Sequence, residues 1–159
     1  MIAIAAVSAN WVIGDSKTNK MPWAAQSQDL AFFKEKTLGK KILFGRKTFA
    51  GLPLLKERTS YVISKTHIND IAGIKYDENT HSVYIKSTKD IPEDVIVCGG
   101  ATIYKQFLPE CHSLYLTEFD FLAKGDIFFP YLKSEIETMF SSKTKVKDIT
   151  DGTIWLYSK

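Results

Sequence analysis

Val97-Cys98-Gly99-Gly100-Ala101-Thr102-Ile103-Tyr104 is the stretch on which the reading turns: an apolar run meets two glycines and passes at once into helix formers. A buried strand that stops at glycine and restarts as a helix leaves free backbone N–H groups at the turn, and such a turn receives anions. The pattern occurs earlier too, where Phe44-Gly45-Arg46-Lys47-Thr48-Phe49 adds two cations, one with the guanidinium fork that suits phosphate oxygens. Two such turns on neighbouring parallel strands predict a dinucleotide held across the carboxyl edge of an α/β sheet. Neither fits GxGxxG, so the commonest dinucleotide fold is disfavoured. Ser64-Lys65, closing another apolar run, offers a hydroxyl and a third cation; with Arg46 it would select a 2′-phosphate, hence NADPH over NADH. For either motif alone, a glycine turn with solvated basic residues is the plain alternative.

Working outward, the strand candidates are Ile2 to Val7, Lys41 to Phe44, Tyr61 to Ile63, Val95 to Cys98 and Leu114 to Leu116, with Ser82 to Lys86 less clear. Between them, Ser27 to Leu38 is a predicted helix capped by Ser27 and closed by Gly39. Ala101 to Leu108 is a second, stopped by Pro109, and Lys47 to Leu52 a short third. Near-continuous apolar strands are buried on both faces, which predicts parallel pairing. Asp151-Gly152 ahead of Thr153-Ile154-Trp155-Leu156-Tyr157 predicts a hairpin returning to a sheet edge. The expectation is one α/β domain over residues 1–159. Its mixed, mostly parallel sheet would have about eight strands, a C-terminal antiparallel hairpin and three to four flanking helices. No helix period is legible from His67 to Asp94.

At 159 residues with 45% hydrophobic and 25% charged residues, the chain has the composition of an ordinary globular protein. A net charge of +3 without a clustered cationic stripe argues against nucleic acid as a partner. Met1 to Ala9 is apolar but lacks a basic lead, and reads as a first strand. No stretch approaches the roughly 18 apolar residues of a membrane span, so no membrane partner and a cytoplasmic location are expected. Cys98, Cys111, His67, His81 and His112 have no metal-ligand spacing, so no metal is expected. No exposed apolar stripe asks for a second copy, which makes a monomer the default.

Asp29 shares a helical face with Phe32 and Phe33, with Leu30 beside it, and burial against such a wall would raise its pKa. Taken alone, an Asp in a first helical turn more often compensates the dipole from the surface. Its company decides. The chain carries, in order, Ile4-Ala5-Ala6, Val12-Ile13-Gly14, Met21-Pro22-Trp23, Asp29-Leu30-Ala31-Phe32-Phe33 and Gly45-Arg46-Lys47-Thr48. Gly99-Gly100 with Tyr104, Leu114-Tyr115-Leu116-Thr117, and Gly125-Asp126 before Phe129-Pro130 follow. In this order the sequence resembles the dihydrofolate reductase family over nearly its whole length.

The resemblance implies an NADPH-dependent oxidoreductase that reduces 7,8-dihydrofolate to tetrahydrofolate for one-carbon metabolism, and a target of antifolate inhibitors. Asp29 would hydrogen-bond the amino-pyrimidine edge of the pterin, Thr117 would bond that carboxylate, and Trp23 would order a water beside it. Met21 would lie in a mobile loop closing over the nicotinamide, held shut by Gly125-Asp126. Ile4, Ala5, Leu30, Phe33, Leu52 and Cys98 would border the substrate, and Arg58 would fork onto its glutamate carboxylate. Ala6, Ile13, Gly14 and Cys98 would meet the nicotinamide. Gly45, Arg46, Lys47 and Thr48, with Ser64 and Lys65, would hold the pyrophosphate and 2′-phosphate. Gly99, Gly100, Ala101, Thr102, Ile103 and Tyr104 would form the second cradle, with a cis peptide between the glycines.

The chain departs from the family pattern in four places. The loop from Gly14 to Met21 is about two residues longer than in common bacterial members, and the five residues between Trp23 and Asp29 are one more than is usual there. Cys98 replaces a branched aliphatic residue, and the usual amphipathic helix is missing from His67 to Asp94. Two rivals stand beside this reading: a pyrimidine reductase of riboflavin synthesis, which would not need Met-Pro-Trp, Asp29 or Thr117, and a catalytically silent nucleotide-binding module.

Overall fold

The computed structural model of the chain describes residues 1–64 and 74–159, the first two of the second segment by backbone alone. Lys65 lies outside the described residues. Six strands form a parallel core: β1 (Ile2–Val7), β3 (Lys41–Gly45), β4 (Thr59–Ile63), β6 (Ser82–Ile85), β7 (Ile96–Val97) and β8 (Ser113–Phe119). Antiparallel strands extend it on both sides. β10 (Ser142–Ile149) and β11 (Gly152–Ser158) lie beyond β8, and β5 (Ile74–Asp77) lies beyond β6. The order is β10-β11-β8-β1-β7-β3-β4-β6-β5, nine strands against about eight expected. β2 (Val12–Gly14) and β9 (Ile127–Phe128) form a separate small ladder.

Helices α1 (Ser27–Thr37), α2 (Arg46–Ala50), α3 (Ala101–Phe107) and α4 (Lys133–Met139) complete the described fold. Both faces of the sheet are covered, as its continuous apolar strands require. Ala3, Ala5, Val7, Leu43 and Val97 pack with Ile103, Tyr104 and Phe107 of α3 on one face. Their neighbours Ile4, Ile42, Phe44 and Ile96 turn the other way and meet Phe32 of α1. The period of two along each strand thus divides one apolar run between two cores.

Local details depart from expectation for identifiable reasons. Ser27 is the first helical residue of α1 rather than its cap; Gln26 occupies that place in extended backbone and makes no side-chain capping bond. Gly39 does close the helix, with φ +73 and its N–H donated to Glu57 O at 2.7 Å. α2 begins at Arg46, one residue early, and stops at Ala50, where the N–H of Gly51 turns back to Thr48 O. Pro109 does not end α3 abruptly, because Leu108–Glu110 continues as a 3₁₀ turn in which proline needs no N–H.

The C-terminal hairpin is inverted relative to its expected placement. Its last strand, β11, is inboard between β8 and β10, and β10 forms the edge. A strand reading Ser-Lys-Thr-Lys-Val-Lys-Asp-Ile has no apolar face to signal it, and its lysines discourage pairing with another chain. Among the described residues no helix is long and apolar enough to cross a membrane.

Candidate active site

The acid of α1 meets β8 in space. Thr117 Oγ1 donates to Asp29 Oδ1 at 2.6 Å, and Thr117 itself is buried. Burial raises the Asp29 pKa above its ordinary 3.8, against the lowering effect of the Thr117 hydrogen bond. So Asp29 is not the surface dipole partner that its position in a first turn suggests. In the register of the sheet Thr117 lies beside Ala6 on β1 and Ile154 on β11.

The apolar residues expected at the site differ in burial. Ile4 is buried and Phe33 and Leu52 are half-buried in the α1-side cluster, while Leu30 and Met21 keep 46% and 43% of their surface exposed. Ala5 turns its methyl to the α3 side, so at the site it offers backbone. Trp23 stands edge-on to Phe119 at 5.5 Å and to Phe121 at 5.7 Å, and those two rings stack at 4.8 Å. That aromatic clamp went unanticipated, although two phenylalanines at alternate positions leaving β8 share one side.

Arg58 marks the far end of α1. Its Nη1 donates to Thr37 Oγ1 at 3.2 Å and its Nε to Lys56 O at 3.0 Å, while Thr37 donates to Phe33 O. From Asp29 to Thr37 the helix rises about 12 Å. A carboxylate-bearing molecule lying along α1 would have an acid at one end and a guanidinium at the other.

The two glycine turns are packed against each other. Gly45 N–H donates to Gly99 O at 2.9 Å, and Cys98 N–H to Leu43 O at 2.9 Å. A Cβ on Gly100 would stand 2.7 Å from Thr48 Oγ1, and one on Gly45 3.2 Å from Ile103 Cγ1. Gly99, at φ +109, lies directly over the ring of Tyr104, whose hydroxyl donates to Ile4 O at 2.7 Å. The Gly99-Gly100 peptide is cis. Ile103 and Tyr104 are therefore buried supports beneath the turns, whereas Thr102 is exposed. Because α2 and α3 are only five and seven residues long, an anion there would rely on bare N–H groups and Arg46 more than on a macrodipole. A backbone cradle in which side chains have no room, flanked by a cation and a hydroxyl, fits a pyrophosphate.

Cys98 is half-buried, its Sγ against Ile96 O at 3.4 Å, and burial pushes the thiol far above its ordinary pKa. It is a small neutral wall, not a nucleophile. Ser64 is buried at the end of β4, with its N–H on Ile85 O.

The loop after Gly14 is tied at several points. The N–H of Ser16 donates to Asp126 Oδ1 at 2.8 Å and its hydroxyl to Asp126 Oδ2, and these bonds hold the Asp126 carboxyl below its usual range. A Cβ on Gly125 would stand 2.5 Å from Gly14 O and 3.1 Å from Pro22 Cγ, and one on Gly51 2.5 Å from Asn19 O. Just before Asp29, Gln28 Oε1 accepts the Thr150 N–H at 2.6 Å and docks the start of α1 on the hairpin turn. Ser16, Asn19, Gln28 and Thr150 gave no signal in the sequence, because each acts through one long-range polar contact.

In sequence and in fold the chain is similar to known proteins. A family model described as dihydrofolate reductase matches residues 1–157. A dihydrofolate reductase from Haemophilus influenzae is 39% identical over 134 residues, 83% of this chain and 79% of its own. One from Buchnera aphidicola is 37% identical over 132 residues, 82% and 78% of the two chains. In structure, the chain is similar to the dihydrofolate reductase from Enterococcus faecalis complexed with NADP(H) and RAB-propyl, with TM-score 0.72, 29% identity, and 99% and 94% of the two chains covered. With the acid and its threonine on one side and the paired glycine turns on the other, the chain belongs to the dihydrofolate reductase family, whose members reduce 7,8-dihydrofolate with NADPH.

Proposed function

We propose that Asp29 is the group through which this chain holds and polarises the pterin while 7,8-dihydrofolate is reduced to 5,6,7,8-tetrahydrofolate. The observation that carries this reading is the Thr117 hydroxyl on a half-buried carboxylate whose pKa is raised. Bound NADPH supplies the hydride that reaches C6, and N5 takes a proton. Asp29 sits at the pyrimidine end, away from N5, so that proton arrives through solvent and Asp29 acts by electrostatics and positioning.

The remaining residues divide the binding. Trp23, fixed by Phe119 and Phe121, orders a water beside the acid, and Ile4, Ala5, Leu30, Phe33, Leu52 and Cys98 border the pterin and its aromatic extension. Arg58 takes the substrate's terminal carboxylate in its fork. Ala6, Ile13, Gly14 and Cys98 border the nicotinamide, and Met21, in a loop tied down by Ser16 and Asp126, excludes water above it. Gly45, Arg46, Lys47 and Thr48, with Ser64 and Lys65, hold the pyrophosphate and the 2′-phosphate, and Gly99, Gly100, Ala101 and Thr102 form the second phosphate cradle, over Ile103 and Tyr104. The chain works as one domain over residues 1–159, as a cytoplasmic monomer, and binds antifolates at the substrate site.

Purified protein mixed with NADPH tests the reading: cofactor oxidation should require dihydrofolate and be blocked by an antifolate. Asp29→Asn should lose about a hundredfold or more in turnover near neutral pH and recover at low pH, where the substrate is already protonated. Wild-type rates in that variant at neutral pH would remove Asp29 from the reaction.

A further inference from the structure

Two neighbouring residues tie the first turn of α1 to different parts of the sheet. Asp29 accepts from Thr117 on β8, and Gln28 Oε1 accepts from the Thr150 N–H, at 2.6 Å, at the tip of the β10–β11 hairpin. The chain enters α1 through Gln26, which makes no side-chain capping bond and turns its amide back to Ala24 O. Beside the Gln28 contact lies a cavity of about 190 Å³ lined by residues 25–28 and by Ile149 and Thr150, so packing does little to back it up.

Successive side chains of a helix point about 100° apart, so the bonds from positions 28 and 29 leave α1 in different directions. Phe32 packs the helix on the sheet three residues later. Ahead of it, the Thr117 bond alone would leave the first turn free to roll; a second anchor off that line stops the roll. The anchor is itself fixed. Asp120 N–H donates to Asp151 O at 2.8 Å, and β11 runs from the hairpin tip back along β8, with Gly152 beside Phe119 and Ile154 beside Thr117. The tip therefore keeps a set position relative to Thr117, and Gln28 passes that position on to the residue next to it.

We propose that Gln28 is a positioning residue for the reaction: by gripping the hairpin tip it fixes the roll of the first turn of α1, and with it the place of Asp29 against Thr117 and the pterin. The inference rests on Asp29 holding the pterin. A small misplacement of such a group costs more in rate than the lost bond costs in stability. Without the grip, Asp29 becomes more exposed and its Thr117 bond loosens. Burial is the larger of the two influences on the carboxyl, so its pKa then falls back toward the ordinary 3.8.

The test follows NADPH oxidation by dihydrofolate across pH in Gln28→Ala, in Thr150→Pro, which lacks the N–H, and in the two combined. Gln28→Ala should lower kcat near neutral pH about threefold to tenfold, with the KM for NADPH within about twofold of wild type. Its Asp29-dependent limb of the pH–rate profile should move to lower pH, the direction opposite to that expected on removing the Thr117 hydroxyl. Thr150→Pro should do the same, and the combined variant should lose no more than either one. A limb in Gln28→Ala that stayed in place or moved to higher pH would overturn the proposal, as would losses that multiply in the combined variant; a merely structural Gln28 would lower the melting temperature and leave the limb unmoved. Gln28→Ala decides by itself if the proline variant does not fold. Wild-type neutral rates in Asp29→Asn would instead sink the functional reading, which keeps the two failures apart.

Discussion

At the acid end, Asp29 and Thr117 come from positions 88 apart in sequence and meet through side chains. At the glycine turns, by contrast, contiguous residues supply backbone, and the side chains involved, Thr48, Ile103 and Tyr104, press on the glycines from the protein side. The first arrangement depends on the fold to bring chemistry together. The second is written locally and depends on the fold only for support. Single atoms should therefore matter most at one end, and empty space at the other.

The largest expected effect that separates them is at Gly99. Gly99→Ala would force a Cβ to 3.0 Å from the Tyr104 ring at φ +109, which costs roughly 1–3 kcal/mol and should weaken NADPH binding up to about a hundredfold. Gly39→Ala is the control, since its φ is also positive but nothing lies within 4 Å of the added carbon. It should lower stability by about 1 kcal/mol and leave NADPH binding unchanged. Fluorescence titration with NADPH and urea unfolding of both variants would break the comparison if they behaved alike. Next in size, Arg46→Ala should cut the preference for NADPH over NADH by about tenfold or more. An unchanged ratio of kcat/KM for the two cofactors would remove Arg46 from the 2′-phosphate.

At the acid end the effects are smaller in binding and clearer in pH. Thr117→Val removes the bond that lowers the Asp29 pKa and leaves burial to raise it further. The Asp29-dependent limb of the pH–rate profile should therefore move to higher pH, and a profile that stayed in place would contradict the coupling. The least effect concerns stability. Because the folded protein holds the Asp29 proton more tightly than the unfolded chain, its contribution is fully present below the ordinary 3.8 and is lost as pH rises through the folded value. Asp29→Asn keeps an acceptor for Thr117 without the charge, so near neutral pH it should melt a few degrees higher than wild type, with the gap closing in acid.

The contrast also explains what the sequence made legible. The strand-glycine-helix turns, the parallel core and the closing Gly39 were readable because each is a local rule of backbone geometry. The pairing of Asp29 with Thr117 came only from resemblance, since no spacing rule joins positions so far apart. Ser27 was misjudged as a cap because its residue type fits one, whereas the chain enters α1 at Gln26 in extended backbone. β10 escaped because its burial is nearly nil, and a strand without an apolar side has no period to find. Phe119 and Phe121 show the intermediate case: their alternation was visible, but their target, Trp23, lies on another segment.

The hydrogen bond from Gly45 to Gly99 joins the two phosphate turns backbone to backbone, with Thr48 wedged against Gly100. Neither turn can shift along the sheet edge without carrying the other. If the turns hold the phosphates as proposed, the pair would work as a fixed gauge, measuring a molecule by whether its two anionic points match the separation of the turns. A mononucleotide would then satisfy one jaw, and only a partner of the full span would engage both.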